Sequence, residues 1–465
     1  MADYLSYMDQ LNEAERIRAP DTPESLIGRL AALPAAWDML DDYGLDVYSK
    51  QIVGRVATTA EVRDRRGRPM VTGVNFGSQD YLSLASHPAV MKAATDAIER
   101  YGVHVGGSAA LMGNCAPSWQ LEQQLCDWLQ LSDCSLFPTG WGAGYGAIRA
   151  LVRPRDHIVI DRLSHASLHE GARAATRHVH VFNHLSLESL ERQLKLVRER
   201  SANVGILVVT ESLFSMDSDV PDLRAHQELA RRYGATLMVD MAHDLGSMGA
   251  NGLGALEQQD MLGKVDVVMG SFSKTFTSNG GFVACNSPGL KLAIRFGCGP
   301  HTFSNAMSPA QASVVLKNLE IVRSSEGAHR RALLQRNSVA LRKVVADAGT
   351  PAMGIPSAVV PVPMGSTGRC RMVSRFISEG GAVCNAVEYP AVPREGARLR
   401  LQVMADHALE DIELFRGIYT RALAQADAAL AAFGCSEALG EDAGEPYDSA
   451  LAPLSTIDPV LQAEI

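Results

Sequence analysis

The sequence predicts an α/β fold with a mostly parallel central sheet, followed by a smaller C-terminal α+β domain. Three observations carry this reading. Short apolar runs recur between about residue 70 and residue 300: "HIVID" (His157–Asp161), "GILVVT" (Gly205–Thr210), "ATLMVD" (Ala235–Asp240), "VDVVMG" (Val265–Gly270) and "GFVACN" (Gly281–Asn286). These runs do not alternate with polar residues, which marks strands buried on both faces. Between them lie segments apolar at helical spacing, such as "SLESLERQLKLVRERS", as crossovers between parallel strands require.

Four regions follow. Residues 1–65 read as polar and helical, then irregular, with "RDRRGRPM" (Arg63–Met70) as a basic turn. Residues 66–300 form the large α/β domain. After it the texture changes. "SPAQASVVLKNLEIVRSS" reads as a long helix, "SAVVPVPMG" and "ARLRLQVM" as strands, and "ALEDIELFRGIYTRALAQADAALAAF" as a final helix, giving an α+β domain over 301–432. Residues 433–465 read as an acidic tail rich in small residues.

Composition narrows the function classes. With 465 residues, 46% hydrophobic and 20% charged, the chain can bury a large core and more than one domain. A net charge of −9 argues against a nucleic-acid binder, which needs a basic face. No apolar stretch reaches the roughly 20 residues that span a bilayer, and the N-terminus lacks the pattern of a secretory signal. Eight scattered cysteines contain no Cys-x-x-Cys pair, so no metal site or disulfide framework is expected. A cytoplasmic setting fits best.

The chemistry-bearing residues cluster after the strands. In parallel sheets ligand groups collect at strand carboxyl ends. Asp240 and His243 follow "ATLMV", Ser271 and Lys274 follow "VDVVM", and His165 follows "HIVID". The glycine-rich turn Thr139–Gly144, with Gly140 and Trp141, follows "CSLFP" and suits an anion at a helix start. Each residue alone has an ordinary structural reading; an aspartate at a strand end, for example, commonly caps the next helix. Together they match the needs of pyridoxal phosphate. A lysine shielded from solvent forms a Schiff base, and Lys274 supplies it. A carboxylate keeps the pyridine nitrogen protonated, as Asp240 can. Ser271 with Gly140 and Trp141 can hold the phosphate, His165 can cover the ring face, and His243 can donate to the phenolic oxygen.

These motifs resemble the α-oxoamine synthases, fold-type I pyridoxal-phosphate enzymes. The family includes serine palmitoyltransferase, 8-amino-7-oxononanoate synthase, 2-amino-3-ketobutyrate CoA ligase and 5-aminolevulinate synthase. The resemblance runs from Asn75 to His407 through "DRLSHASLHEG", "TESLFSMDSD", "MVDMAHDLGSMG", "GSFSKT", "TFSNAMSPAQ" and "YPAVPREGARLRLQ". It implies that Ser215 joins His243 on the phenolic-oxygen side. It also implies that Ser304 and Asn305 reach the phosphate in the partner subunit of a homodimer with shared active sites. Arg400 would hold the substrate carboxylate with two parallel hydrogen bonds. The implied reaction condenses a small amino acid with an acyl thioester, on CoA or a carrier protein, and loses CO2 to give an α-amino ketone.

Three positions depart from the family. Met241 replaces a usual acidic or small polar residue. Gln79 replaces an asparagine near the substrate and is expected to reshape the amino-acid or acyl pocket. Ala110 replaces an arginine or histidine, which fits either a different thioester or neutral drift. The wording of "SFSKTFTSNGGF" and "TGWGAGYGAI" leans toward serine palmitoyltransferase and thus a sphingoid-base precursor from L-serine. The alternatives are the 8-amino-7-oxononanoate and 2-amino-3-ketobutyrate types, or an amino ketone of secondary metabolism. Rival classes are an aminotransferase and a catalytically silent dimer partner. Lys274, His165, Asp240 and Arg400 together argue against the silent partner.

Overall fold

The computed structural model describes residues 25–432, apart from Leu26 and Ala32; the acidic tail and most of the polar N-terminus lie outside the described residues. After the helix Leu33–Asp42, three strands run antiparallel: β1 (Gln51–Val53), β2 (Thr59–Arg63) and β3 (Pro69–Asn75). The sequence reading expects irregular chain over the first two. In β2 only Ala60 and Val62 are buried, alternating with exposed residues. Two apolar residues are too few for a period to stand out, and pairing with β3 is what holds this strand. The basic stretch forms the turn between β2 and β3. Gly67 takes φ +77°, and the Asp64 carboxylate accepts from the backbone N–H of Arg66 and Arg68, each at 2.9 Å. The turn's arginines reach acids near the preceding helix: Arg65 meets Asp38 at 3.0 Å and Asp46 at 3.1 Å, and Arg68 meets Asp41 at 3.0 Å. This hairpin crosses residue 66, where the sequence reading draws its first boundary.

The central sheet holds seven strands: β4 (Asp133–Phe137), β5 (His157–Asp161), β6 (Val179–Phe182), β7 (Ile206–Glu211), β8 (Thr236–Asp240), β9 (Val267–Ser271) and β10 (Gly281–Cys285). Their order is β4-β10-β9-β8-β7-β5-β6. Four pairings are parallel; β10 runs antiparallel to both its neighbours. Successive side chains point to opposite faces, and both faces are covered. Ile158, Ile160, Leu207, Val209, Met238, Val267 and Met269 belong to one apolar cluster. Val159, Val208, Val239 and Val268, one step along, belong to the other. This double burial is why the runs read as unbroken apolar stretches.

The C-terminal part adds β11 (Val359–Gly365), β12 (Ala382–Val383), β13 (Asn385–Val387) and β14 (Ala397–Gln402). Strands β11, β14 and β13 form an antiparallel sheet packed against the helices Thr367–Glu379 and Ser325–Asp347. The final helix, Leu409–Ala432, packs on both of those helices. Strand β12 instead joins the N-terminal sheet, parallel to β3. Phe76 links the two sheets: its N–H donates to Val383 at 2.8 Å and its carbonyl accepts from Gln402 at 2.7 Å.

One buried ion pair pins the N-terminal segment to this region. Arg371 donates to both carboxylate oxygens of Glu388, through Nε at 2.8 Å and also through Nη2. Arg371 Nη1 donates to the Leu45 carbonyl at 3.1 Å, and Tyr48 Oη donates to Glu388 at 2.7 Å. Both charged residues are 3% exposed. Glu388→Ala leaves a buried guanidinium without its carboxylate and is expected to cost roughly 3–5 kcal/mol, read by chemical denaturation.

Candidate active site

Four strands of the central sheet end on polar residues: β5 on Asp161, β7 on Glu211, β8 on Asp240 and β9 on Ser271. Glu211 and Asp240 are direct partners in the β7–β8 register, so two buried carboxyl groups stand side by side. Mutual repulsion and loss of water both disfavour their charged forms. Burial pushes Asp240 up to about 6, with Lys274 working in the opposite direction. Glu211 is pushed well above the usual carboxylate range by burial and by Asp240. Its Oε1 accepts from the backbone N–H of His165 at 2.5 Å.

Lys274 sits in the tight turn that follows β9, where the Thr277 N–H donates to the Lys274 carbonyl at 3.0 Å. Its amine faces a cavity of about 220 Å³ whose walls include Gly140, Trp141, His165, Asp240, His243 and Ser271. Burial lowers the lysine's pKa; Asp240 opposes this and the Arg400 charge reinforces it. The neighbouring imidazoles are driven neutral. Loss of hydration, then Lys274 and Arg400, take His165 down to about 4, although the residue is exposed at the cavity. The same causes hold His243 well below its ordinary value.

A helix start closes one end. Helix Gly140–Leu151 begins at the cavity, and Thr139 caps it by accepting from the Gly142 N–H at 2.9 Å. Opposite it, the Ser271 and Ser273 hydroxyls are 2.8 Å apart. Free N–H groups, a positive dipole end and two hydroxyls make an anion site. His165 caps the helix Ala166–Ala175. Its Nδ1 lies 2.9 Å from Ser167 Oγ, and Trp141 meets its ring edge-on at 5.7 Å between centroids.

Seven of the twelve residues singled out from the sequence therefore line one cavity. The other five do not. Ser215 is half-buried in the loop after β7. Gln79 is half-buried, two residues before Tyr81. Ser304 is half-buried and Asn305 exposed. Asn305 makes an isolated bridge with Ser108, and the next residue's N–H donates to Gly107 at 3.0 Å. Arg400 projects from β14 in the C-terminal part; its charge is felt at Lys274, His165 and His243. Its Nε is buried without a hydrogen-bond partner. Of the three departures, Met241 is fully buried in the core, which suits a thioether better than an acid, while Ala110 is half-buried.

Sequence reasoning misses Tyr81 and Glu211. Tyr81 is fully buried, and its Oη lies 3.0 Å from His243 Nδ1. The sequence signal was a lone tyrosine in "QDYLSL", read only for the glutamine before it. Tyr81→Phe leaves that buried ring nitrogen unpaired. A loss of about 1–3 kcal/mol is expected, measured by thermal unfolding of the cofactor-free protein.

Known proteins share these features. The family model for aminotransferase class I and II matches residues 71–416. An 8-amino-7-oxononanoate synthase from a Marinomonas species is 36% identical over 341 residues, covering 73% of this chain and 83% of that protein. PigH of a Serratia species, a 4-hydroxy-2,2'-bipyrrole-5-methanol synthase, is 32% identical over 73% of this chain and 51% of its own length. Among solved structures, serine palmitoyltransferase from Sphingomonas wittichii superposes with a TM-score of 0.80 at 26% identity, covering 88% of this chain and 99% of that one. A serine palmitoyltransferase carrying its pyridoxal-phosphate internal aldimine scores 0.79 at 27% identity, covering 89% of this chain and all of that one. A row of strand-end acids, a desolvated lysine and an anion-binding helix start thus occur on the fold of these synthases, and the chain belongs to the α-oxoamine synthase family of pyridoxal-phosphate-dependent C-acyltransferases.

Proposed function

We propose that this chain joins a small amino acid to an acyl thioester, with loss of CO2, and that the residues lining its cavity do the work together with Arg400 from β14. The observation that carries this is Arg400. It is a half-buried arginine whose Nε is buried and unsatisfied, and its guanidinium donates to the weak thioether of Met216 at 4.0 Å. A cation held so close to Lys274 without a carboxylate partner suits an amino-acid carboxylate.

The cavity fits the cofactor. A Cβ at Gly140 would stand 2.4 Å from Ser271 Oγ and 2.5 Å from Ser271 Cβ, so glycine keeps open the space between the helix start and that hydroxyl. The phosphate would be held there, by the backbone of Gly140 and Trp141 and by Ser271. Asp240 would face the pyridine nitrogen, His165 the ring, and His243 with Ser215 the phenolic oxygen. Lys274 would form the covalent link. Bound in this way, pyridoxal phosphate supplies an electron sink for charge developing at the amino acid's α-carbon.

The chain's residues supply the rest. Arg400 fixes the substrate by its carboxylate. Burial favours the neutral form of the Lys274 amine, so once freed it can take the α-proton. His165, neutral near pH 7, can donate an N–H to the thioester carbonyl as negative charge grows on that oxygen. Exposed apolar side chains at Leu111, Met112 and Phe303 flank the Ser108–Asn305 bridge. They support a homodimer in which Ser304 and Asn305 complete the partner's phosphate site. Among the described residues no helix is long and apolar enough to cross a membrane.

For the substrate, the fold likeness to serine palmitoyltransferases favours L-serine with a long-chain thioester, which would give a sphingoid-base precursor. The sequence likeness to 8-amino-7-oxononanoate synthases favours an amino ketone of the 8-amino-7-oxononanoate type. Visible absorption during titration with L-serine, L-alanine and glycine, with and without acyl-CoA or acyl carrier protein, separates them. One amino acid is expected to shift the spectrum, and free thiol is expected only when the matching thioester is added. Transamination of a 2-oxo acid without thiol release would overturn the condensation.

Lys274→Ala is expected to abolish the yellow colour of the loaded protein. Arg400→Ala should keep that colour while raising the amino-acid KM by roughly 30-fold or more, the cost of a lost buried charge pair. Cofactor affinity should fall with acidity. Below about pH 6 Asp240 gains a proton in the free protein and no longer offers a negative charge. Absorbance titrations of cofactor into the free protein at pH 5 and pH 8 read this directly.

A further inference from the structure

His184 lies outside the cavity, in the turn that follows β6, yet it is bonded through both ring nitrogens. Its Nδ1 is 2.8 Å from Asp161 Oδ1 and its Nε2 is 3.0 Å from Asp219 Oδ2. Asp161 ends β5 and is fully buried. Its carboxylate also accepts from the backbone N–H of Leu163 at 2.9 Å and of Leu185 at 3.1 Å, which fixes the chain two residues before His165. Asp219 closes the turn that contains Ser215, where the Phe214 N–H donates to the Asp219 carbonyl at 3.0 Å. Phe214 meets the His184 ring edge-on, with centroids 4.5 Å apart.

The same turn leads on to the C-terminal part. Asp217 forms a close ion pair with Arg398, and Arg398 Nη1 also donates to the Met216 carbonyl at 3.0 Å. The ligand-type atoms of His184, Asp217 and Asp219 lie within 4.8 Å of one another. They are engaged with each other and with Arg398, so the cluster works as an ion network joining loops.

We propose that His184 is a positioning residue: bonded on both sides, it sets the His165 loop against the Ser215 turn, and so the geometry in which His165 meets its substrate. Burial works against a charged ring here, but the hydrogen bonds to Asp161 and Asp219 outweigh it and raise the pKa to about 10. The tie therefore persists across the physiological range. Its catalytic consequence rests on the condensation proposed above.

The test uses Asp219→Ala, which cuts the link to the Ser215 turn while leaving the buried Asp161–His184 pair intact, together with His184→Ala and the double variant. Hydrogen exchange of the segment 161–169 is measured on cofactor-free protein. The values of kcat and of the amino-acid KM are measured on loaded protein. Faster exchange in both single variants is expected, with kcat lowered roughly 10- to 100-fold, as for a catalytic group displaced by about 1 Å. The KM, which reads Arg400, should stay within about 3-fold, and the double variant should lose no more than either single one. Unchanged exchange and kcat in Asp219→Ala would overturn the proposal, as would losses that add in the double variant. If wild-type protein condenses no substrate pair, the functional reading fails, and the exchange measurement still decides whether His184 sets the loop.

Discussion

Everything at the site depends on charge being taken out of water. A lysine, two neighbouring carboxyl groups and two imidazoles gather around one cavity at the ends of four strands, and a guanidinium from β14 adds its charge. Water would let each keep its ordinary protonation state. Without it, they set one another's. The histidines are held neutral by lost hydration and two nearby cations, although only His243 is buried and His165 is exposed at the cavity. Asp240 and Glu211 cannot both ionise cheaply on adjacent strands. Lys274 is drawn toward the free amine that a Schiff base requires. The sheet makes this possible. With both faces covered, only the edge formed by the strand ends is left for polar groups.

The sheet was legible because double burial writes itself into the sequence as unbroken apolar runs, and each of those runs became a strand. The antiparallel course of β10 was not legible, since direction leaves no mark on composition. The β2 strand was missed for a related reason: two buried residues do not make a pattern, and its partner supplies the order. At the site, residues placed directly after strands were readable, because the fold fixes where strand ends go. Tyr81 was not. It arrives from an irregular segment far back in the chain, and only the three-dimensional path brings its hydroxyl to His243.

Shape and sequence point to different members of the same family. Serine palmitoyltransferase structures superpose well at 26–28% identity, whereas 8-amino-7-oxononanoate synthase sequences reach 34–36%. Both sets share the framework that buries the lysine. A framework of this kind serves many substrates, and the choice between them rests on a few side chains around the cavity mouth.

The pairing of β3 with β12 bears on how the protein is made. Val74 lies beside Ala382, and Phe76 waits for a carbonyl at Val383 and an N–H at Gln402. The first sheet to leave the ribosome is thus among the last to be completed. Until the C-terminal strands emerge, β3 presents an open edge, the kind of surface on which nascent chains aggregate.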